Sequence, residues 1–175
     1  MAGTPDLPVT PVDGNVRIDI LPAIASIDAP TLTELNVSGG TGLNASCYVT
    51  ADSALIGIEQ ATISVQLLCQ TVDRNEPGRK TVTLGITGVD NTNSPAATAS
   101  NELAKLLIEG SVHYYVERRN KPWDAAYAAD DELFIVKFKV GQKAPMAPEA
   151  NSYSRSVFNT FVMDFAGPVK VATAG

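Results

Sequence analysis

The sequence predicts a mainly β protein, an antiparallel β-sandwich or partly closed barrel with one flanking α-helix. Two observations carry this. Apolar and polar residues alternate with period two in about seven or eight segments, and a single longer segment repeats its leucines at helical spacing. The 175 residues suffice for one domain with its own core.

Residues 1–14 hold Pro5, Pro8, Pro11 and Gly14 and are expected to form an extended arm able to lie along a neighbour, with 15–175 a single domain behind it. Val16, Ile18 and Ile20 alternate with Arg17 and Asp19 as far as Pro22, giving the first strand. Thr31 stands three residues before Glu34, as in a capping box, with Pro30 beside it; a short helix should follow and stop before Gly39-Gly40. Ile63, Val65, Leu67 and Cys69 alternate with Thr62, Ser64, Gln66 and Gln70. Val82, Leu84 and Ile86 do the same against Thr81, Thr83 and Thr87, and the two runs predict a hairpin. Its connection, Asp73-Arg74-Asn75-Glu76-Pro77-Gly78-Arg79-Lys80, is charged, carries a Pro-Gly turn signal and reads as a loop projecting into solvent until something docks on it. The uncharged Thr, Ser and Gln face of the hairpin faces solvent or lines a wet channel.

The main helix is expected over Ser94 to Glu109, with Pro95 in its first turn, Leu103, Leu106 and Leu107 on one face, and Gly110 at its C-terminal cap. Strands follow at Val112–Arg119, at Glu132–Val140 with Phe134, Val136, Phe138 and Val140 on one side, and at Tyr153–Phe165. The last is apolar on both faces around Phe158, Phe161 and Val162, so it is either central or pressed on a partner.

Composition narrows the function. With 45% hydrophobic and 18% charged residues, the chain is too apolar for disorder and low in charge for a free monomer, so part of its surface should meet another subunit. A net charge of -6 opposes gripping nucleic acid, which relies on clustered Lys and Arg. Cys47 and Cys69 read as two small buried core residues, and with the single His113 they are too few for a metal site; no cofactor is expected. Met1 to Pro11 lacks the features of a signal peptide and no stretch approaches the roughly 18 apolar residues of a membrane helix, so synthesis in the cytosol without membrane insertion is expected.

No catalytic set emerges. Asp124, Asp130, Asp131 and Glu132, with Asp28 or Glu34, would allow a carboxylate pair by number, but Asp130-Asp131 precedes a strand and reads as a turn. His113 lies in a strand, with no nucleophile elbow nearby, and Ser38-Gly39-Gly40-Thr41-Gly42 lacks both the P-loop lysine and dinucleotide spacing. Arg118, Arg119 and Lys121 near Trp123 form the densest basic knot. Its simplest reading is a strand end whose arginines pair with Asp130, Asp131 or a neighbouring subunit's carboxylates.

Several of these segments carry a family resemblance. Ile27-Asp28-Ala29-Pro30-Thr31-Leu32-Thr33-Glu34-Leu35-Asn36 followed by Ser46-Cys47-Tyr48-Val49 resembles the start of major tail proteins of long-tailed phages of actinobacteria. Leu103 to Gly110, Tyr115-Val116-Glu117-Arg118-Arg119, Asp130-Asp131, Val140-Gly141-Gln142, Pro148-Glu149-Ala150-Asn151-Ser152 and Ala166-Gly167-Pro168-Val169 fall in that family's order. The chain departs at Asn120 and Ala129, where glycines are expected.

The resemblance implies a tail tube subunit. Its hexameric rings would stack into a hollow tube, with sheets joined edge to edge, through which DNA leaves the capsid and passes without specific binding. It implies a structural virion protein made in the host cytoplasm and partnered by itself, the tape measure protein, the tail terminator and tail tip proteins, with no membrane and no enzymatic activity. Asp73, Arg74, Glu76, Pro77, Arg79 and Lys80, with Arg118 and Arg119, are the candidate contacts between rings or subunits. The runner-up is a capsid decoration or cell-surface glycan-binding β-sandwich, whose loop-tip aromatics would be Trp123 and Tyr127. A small hydrolase using Asp and Glu is the weakest reading.

Overall fold

The computed structural model describes residues 10–36, 42–51, 55–65, 68–69, 74–94 and 101–172. Seven strands, β1 (Val16–Leu21), β2 (Leu43–Asn44), β3 (Leu55–Val65), β4 (Arg74–Val89), β5 (Val112–Arg119), β6 (Glu132–Pro145) and β7 (Arg155–Lys170), form one antiparallel sheet. The strand order is β2-β1-β5-β6-β7-β4-β3. Among the described residues the sheet is accompanied by two short helices, α1 (Leu32–Leu35) and α2 (Glu102–Leu106).

The sheet rolls up on itself. Asn44 pairs with Asp19 of β1, yet Val49 bridges to Gly88 of β4, and the Thr50 N–H donates to the Thr87 carbonyl at 3.0 Å. Five residues reach at most about 18 Å, so β2 at one end of the order lies close to β4, the last strand but one at the other, as in a partly closed barrel. Gly88 makes this seam possible: a Cβ there would stand 2.3 Å from Leu103 Cδ2 and 3.0 Å from the Tyr48 carbonyl. Gly88→Val should overpack the seam and lower stability by about 1–3 kcal/mol, read as a shift in the denaturation midpoint.

Each face of the sheet buries its own core. Inside the roll, Ile18, Ile20, Ile86, Tyr115, Val136, Phe138 and Phe158 pack together, sealed by Leu103 and Leu107 at α2. On the outer face, Leu21, Val116, Leu133 and Ile135 are covered by Ile24, Leu35, Tyr127 and Val171. Strands wet on neither face are consecutive-apolar, as at Ile135-Val136.

The capping box at Thr31 forms as expected: the Thr31 side chain accepts from the Glu34 N–H, and the Glu34 carboxylate accepts from the Thr31 N–H at 2.9 Å. Burial alone would raise the Glu34 pKa; the hydrogen bonds from Ala25 and Thr31 outweigh it and hold the carboxyl below its ordinary value. The main helix is shorter than its leucine spacing predicted. It ends at Leu106 with Leu107 as its cap, and Gly110 instead takes φ +87 in the turn into β5, while 95–100 lie outside the described residues. Both cysteines are exposed, correcting the expectation of two core residues: Cys47 sits in the turn after β2 and Cys69 in the connection beyond β3, where no core reaches.

His113, buried on β5, donates or accepts at Ser111 Oγ over 2.9 Å and tilts against Phe138 at 6.2 Å. Burial lowers its pKa below the ordinary 6.5. The unfolded chain therefore takes up this proton first, so its share of stability is complete above pH 6.5 and falls as the pH drops below it. Between about pH 7.5 and about pH 5.5 the denaturation midpoint of the wild type should fall more steeply than that of His113→Gln.

Candidate assembly surface

The hairpin of β3 and β4 is the most exposed regular structure. Leu84 and Ile86 anchor its base in the core, and Ile86–Val89 pair with β7, but β4 from Arg74 to Gly85 pairs only with β3. Its outer half is thus a two-stranded ribbon standing off the barrel, with Ile58, Ile63 and Val65 each about half exposed. Such a ribbon is marginal alone.

The expected loop 73–80 is largely strand. Arg74 to Pro77 pair with Val65 to Thr62, Lys80 pairs with Gln60, and a register shift lies between. Asp73 and the expected strand residues Leu67 and Gln66 lie outside the described residues. The turn chemistry misled because a ribbon wet on both sides accepts charged residues, and Pro77 needs no donor where β4 has one neighbour. The extra residue of the shift accommodates Pro77-Gly78.

The basic knot has a different fate. Arg118 is 1% exposed and serves as a hub inside the chain. It ion-pairs with Asp131 at 3.2 Å and donates to the carbonyls of Ala126 (2.8 Å), Pro122 (2.8 Å) and Ala125 (2.9 Å). Arg17, directly opposite in the register, donates to the same Ala125 carbonyl at 2.7 Å and to Asp19 at 2.7 Å. Two guanidiniums side by side repel; Asp19, Asp131 and the Tyr127 ring between them, 4.5 and 5.1 Å away, offset this.

Burial alone would raise the pKa of Asp131, but hydrogen bonds from Lys121 and the Ala128 N–H, with the nearby cations, hold the carboxyl below its ordinary value. Burial, then the Asp19 charge and hydrogen bond, push the Tyr127 hydroxyl far up. Arg118 is therefore withdrawn as a contact between subunits: its two Nη groups are committed within its own chain, and its Nε, though without a partner, is buried. Arg119 remains exposed, its guanidinium on the buried Glu117 carboxylate. Arg119 on β5 and the ribbon on β3–β4 are separated in the sheet by β6 and β7, so the expected contacts form no single patch.

The expected pairing of the arginines with the acidic turn holds for Asp131, and Asp130 takes φ +64 in that turn. Asn120, where the family's glycine was expected, takes φ +63, a conformation asparagine tolerates. Tyr127 is buried with its hydroxyl donating to Asp19 at 2.5 Å, so it is no loop-tip aromatic; Trp123 alone is exposed of that pair.

A second exposed surface was only half visible in the sequence. Val112, Lys139 and Phe161 stand in one row across β5, β6 and β7 on the outer face, with Lys137 in the next row. Phe161 is 65% exposed and Met163 57%, so β7 is dry on its inner side alone, at Phe158. The Phe161 ring lies over Gly141, where a Cβ would meet it at 2.7 Å. The double-sided apolar run of β7 was the signal for this patch.

Among the described residues no cluster of His, Cys, Asp and Glu has the form of a metal site, and no helix is long and apolar enough to cross a membrane. A rolled β-sheet carrying a free ribbon and an uncovered apolar face has the build of a structural subunit. The sequence model of the phage tail tube protein family matches residues 4–175, and the chain belongs to that family; it is a structural component of a virion tail. The fold is similar to a chain in the cryo-EM structure of the anti-feeding prophage baseplate, 6-fold symmetrised, with a TM-score of 0.53 at 6% identity, covering 91% of this chain and 96% of that one. No curated protein sequence matches.

Proposed function

We propose that this chain is the major tail tube subunit of a long-tailed phage of the actinobacterial type. It assembles into hexameric rings that stack into the hollow tube delivering the DNA. The observation that carries the reading is the β3–β4 ribbon, a hairpin too exposed on both faces to be stable alone and held beyond the barrel where a neighbour can cover it. Sixfold symmetry enters by analogy with the baseplate named above. Sheets joined edge to edge in a ring would leave no open strand edge to aggregate. The net charge of -6 suits a conduit that repels phosphate, so DNA slides without adhesion.

In this reading residues 15–175 form the ring domain and 1–14 an arm laid on a neighbour. The ribbon from residue 74 to 80, with Asp73, makes contacts between rings, and Arg119 is a further subunit contact. The tape measure, tail terminator and tail tip proteins complete the tail assembled in the host cytoplasm.

The test is negative-stain electron microscopy of the purified chain at rising concentration, with light scattering for mass. Rings or hollow tubes support the reading. A monomer that never assembles, even when seeded with tail tips, overturns it in favour of a decoration module.

A further inference from the structure

The outer face of the sheet carries two exposed apolar patches flanked by opposite charge. On the ribbon, directly paired residues share a face, so Glu59 with Thr81 and Glu76 with Ile63 lie on the outer side beside Val65, whose register partner is Arg74 at the start of β4. Lys80 is paired with Gln60 on the other side. Glu59 and Glu76 are exposed and make no ion pair among the described residues.

The barrel patch has the reverse sign. Lys139 stands between Val112 and Phe161 with no carboxylate in its row. Lys137 faces Asp164 across the register and holds its ammonium 5.6 Å from the centre of the Tyr114 ring. Met163 is the extra residue of the β7 bulge beside it. Phe161, Met163, Ile63 and Val65 are 65, 57, 51 and 42% exposed, an apolar surface that wants cover.

Both patches lie on the same side of one continuous sheet, so they cannot meet within a chain. We propose that the patch of Val112, Lys137, Lys139, Phe161 and Met163 is the seat for the ribbon of a second copy, a step that rests on the tube reading above. Ile63 and Val65 settle on Phe161 and Met163, while Glu59 and Glu76 reach the two lysines. Since the two surfaces differ, the contact is heterologous: a pair keeps one free seat on the copy that gave its ribbon and one free ribbon on the other, and assembly continues rather than closing as a dimer.

The test is charge reversal. Wild type, Glu59→Lys with Glu76→Lys, Lys137→Glu with Lys139→Glu, and all four together are compared by the concentration at which tubes appear, with circular dichroism melts to confirm folding. Each reversed pair should raise that concentration at least about tenfold, and the four together should return it to within about threefold of wild type. Wild-type tubes with both reversed pairs assembling normally, or no rescue by the combination, overturn the seat alone. A wild type that stays monomeric overturns the tube reading and the seat with it.

Discussion

Arg118→Ala lowers stability by about 3–5 kcal/mol, the range for removing one partner of a buried ion pair. The guanidinium is buried with Asp131, and its loss takes one cation from that carboxylate and leaves the Ala126 carbonyl without its donor, while Arg17 and the Ala125 N–H still serve the carbonyls of Ala125 and Pro122. Lys121 still reaches Asp131 from its half-exposed position, which keeps the loss toward the lower end. For a chain of this length the melting temperature should drop by roughly 6 to 20 °C. Arg118→Lys should recover little, because a lysine cannot serve a carboxylate and three carbonyls with one planar fork. A melt within about 2 °C of wild type would show that the loop from 122 to 131 does not depend on this hub.

Replacing residues 61–79 by Asn-Gly abolishes assembly while leaving a folded chain. Gln60 and Lys80 are direct partners, so a two-residue type I′ turn joins them without changing the register below. None of the described residues among 61–79 belongs to either buried core, and the anchoring Leu84 and Ile86 remain. The melting temperature should change by no more than about 5 °C, whereas light scattering should give a monomer at every concentration. Tubes formed by the shortened chain would remove the ribbon from the assembly mechanism.

The regular sheet was legible where one face meets a core. β1, β5 and the first part of β6 follow their alternation almost residue for residue, because Ile20, Tyr115 and Val136 point into the roll. The capping box at Thr31 was equally plain, being a local hydrogen-bond pattern. The ribbon was displaced toward the N-terminus relative to its alternating run, since Ile63 and Val65 are not held by a core and their apolar period does not report burial. Charge plus Pro-Gly signalled a turn where the chain makes an irregular strand.

Arg118 and Arg119 differ by one position and alternate between faces, so one became the buried hub and the other an exposed cation. The acidic turn three residues after Ala128 gave the pairing with Asp131, but the carbonyls gathered by the hub follow from the loop's path, which no spacing reveals. The lateral row of Val112, Lys139 and Phe161 joins three strands far apart in sequence, and only the register brings it together.

The most direct measurement is a cryo-EM reconstruction of the assembled chain at side-chain resolution. The account predicts sixfold rings with the β3–β4 ribbon crossing from one ring to the next and covered by a second copy. A closed dimer, or rings whose ribbons extend uncovered into solvent, would contradict it.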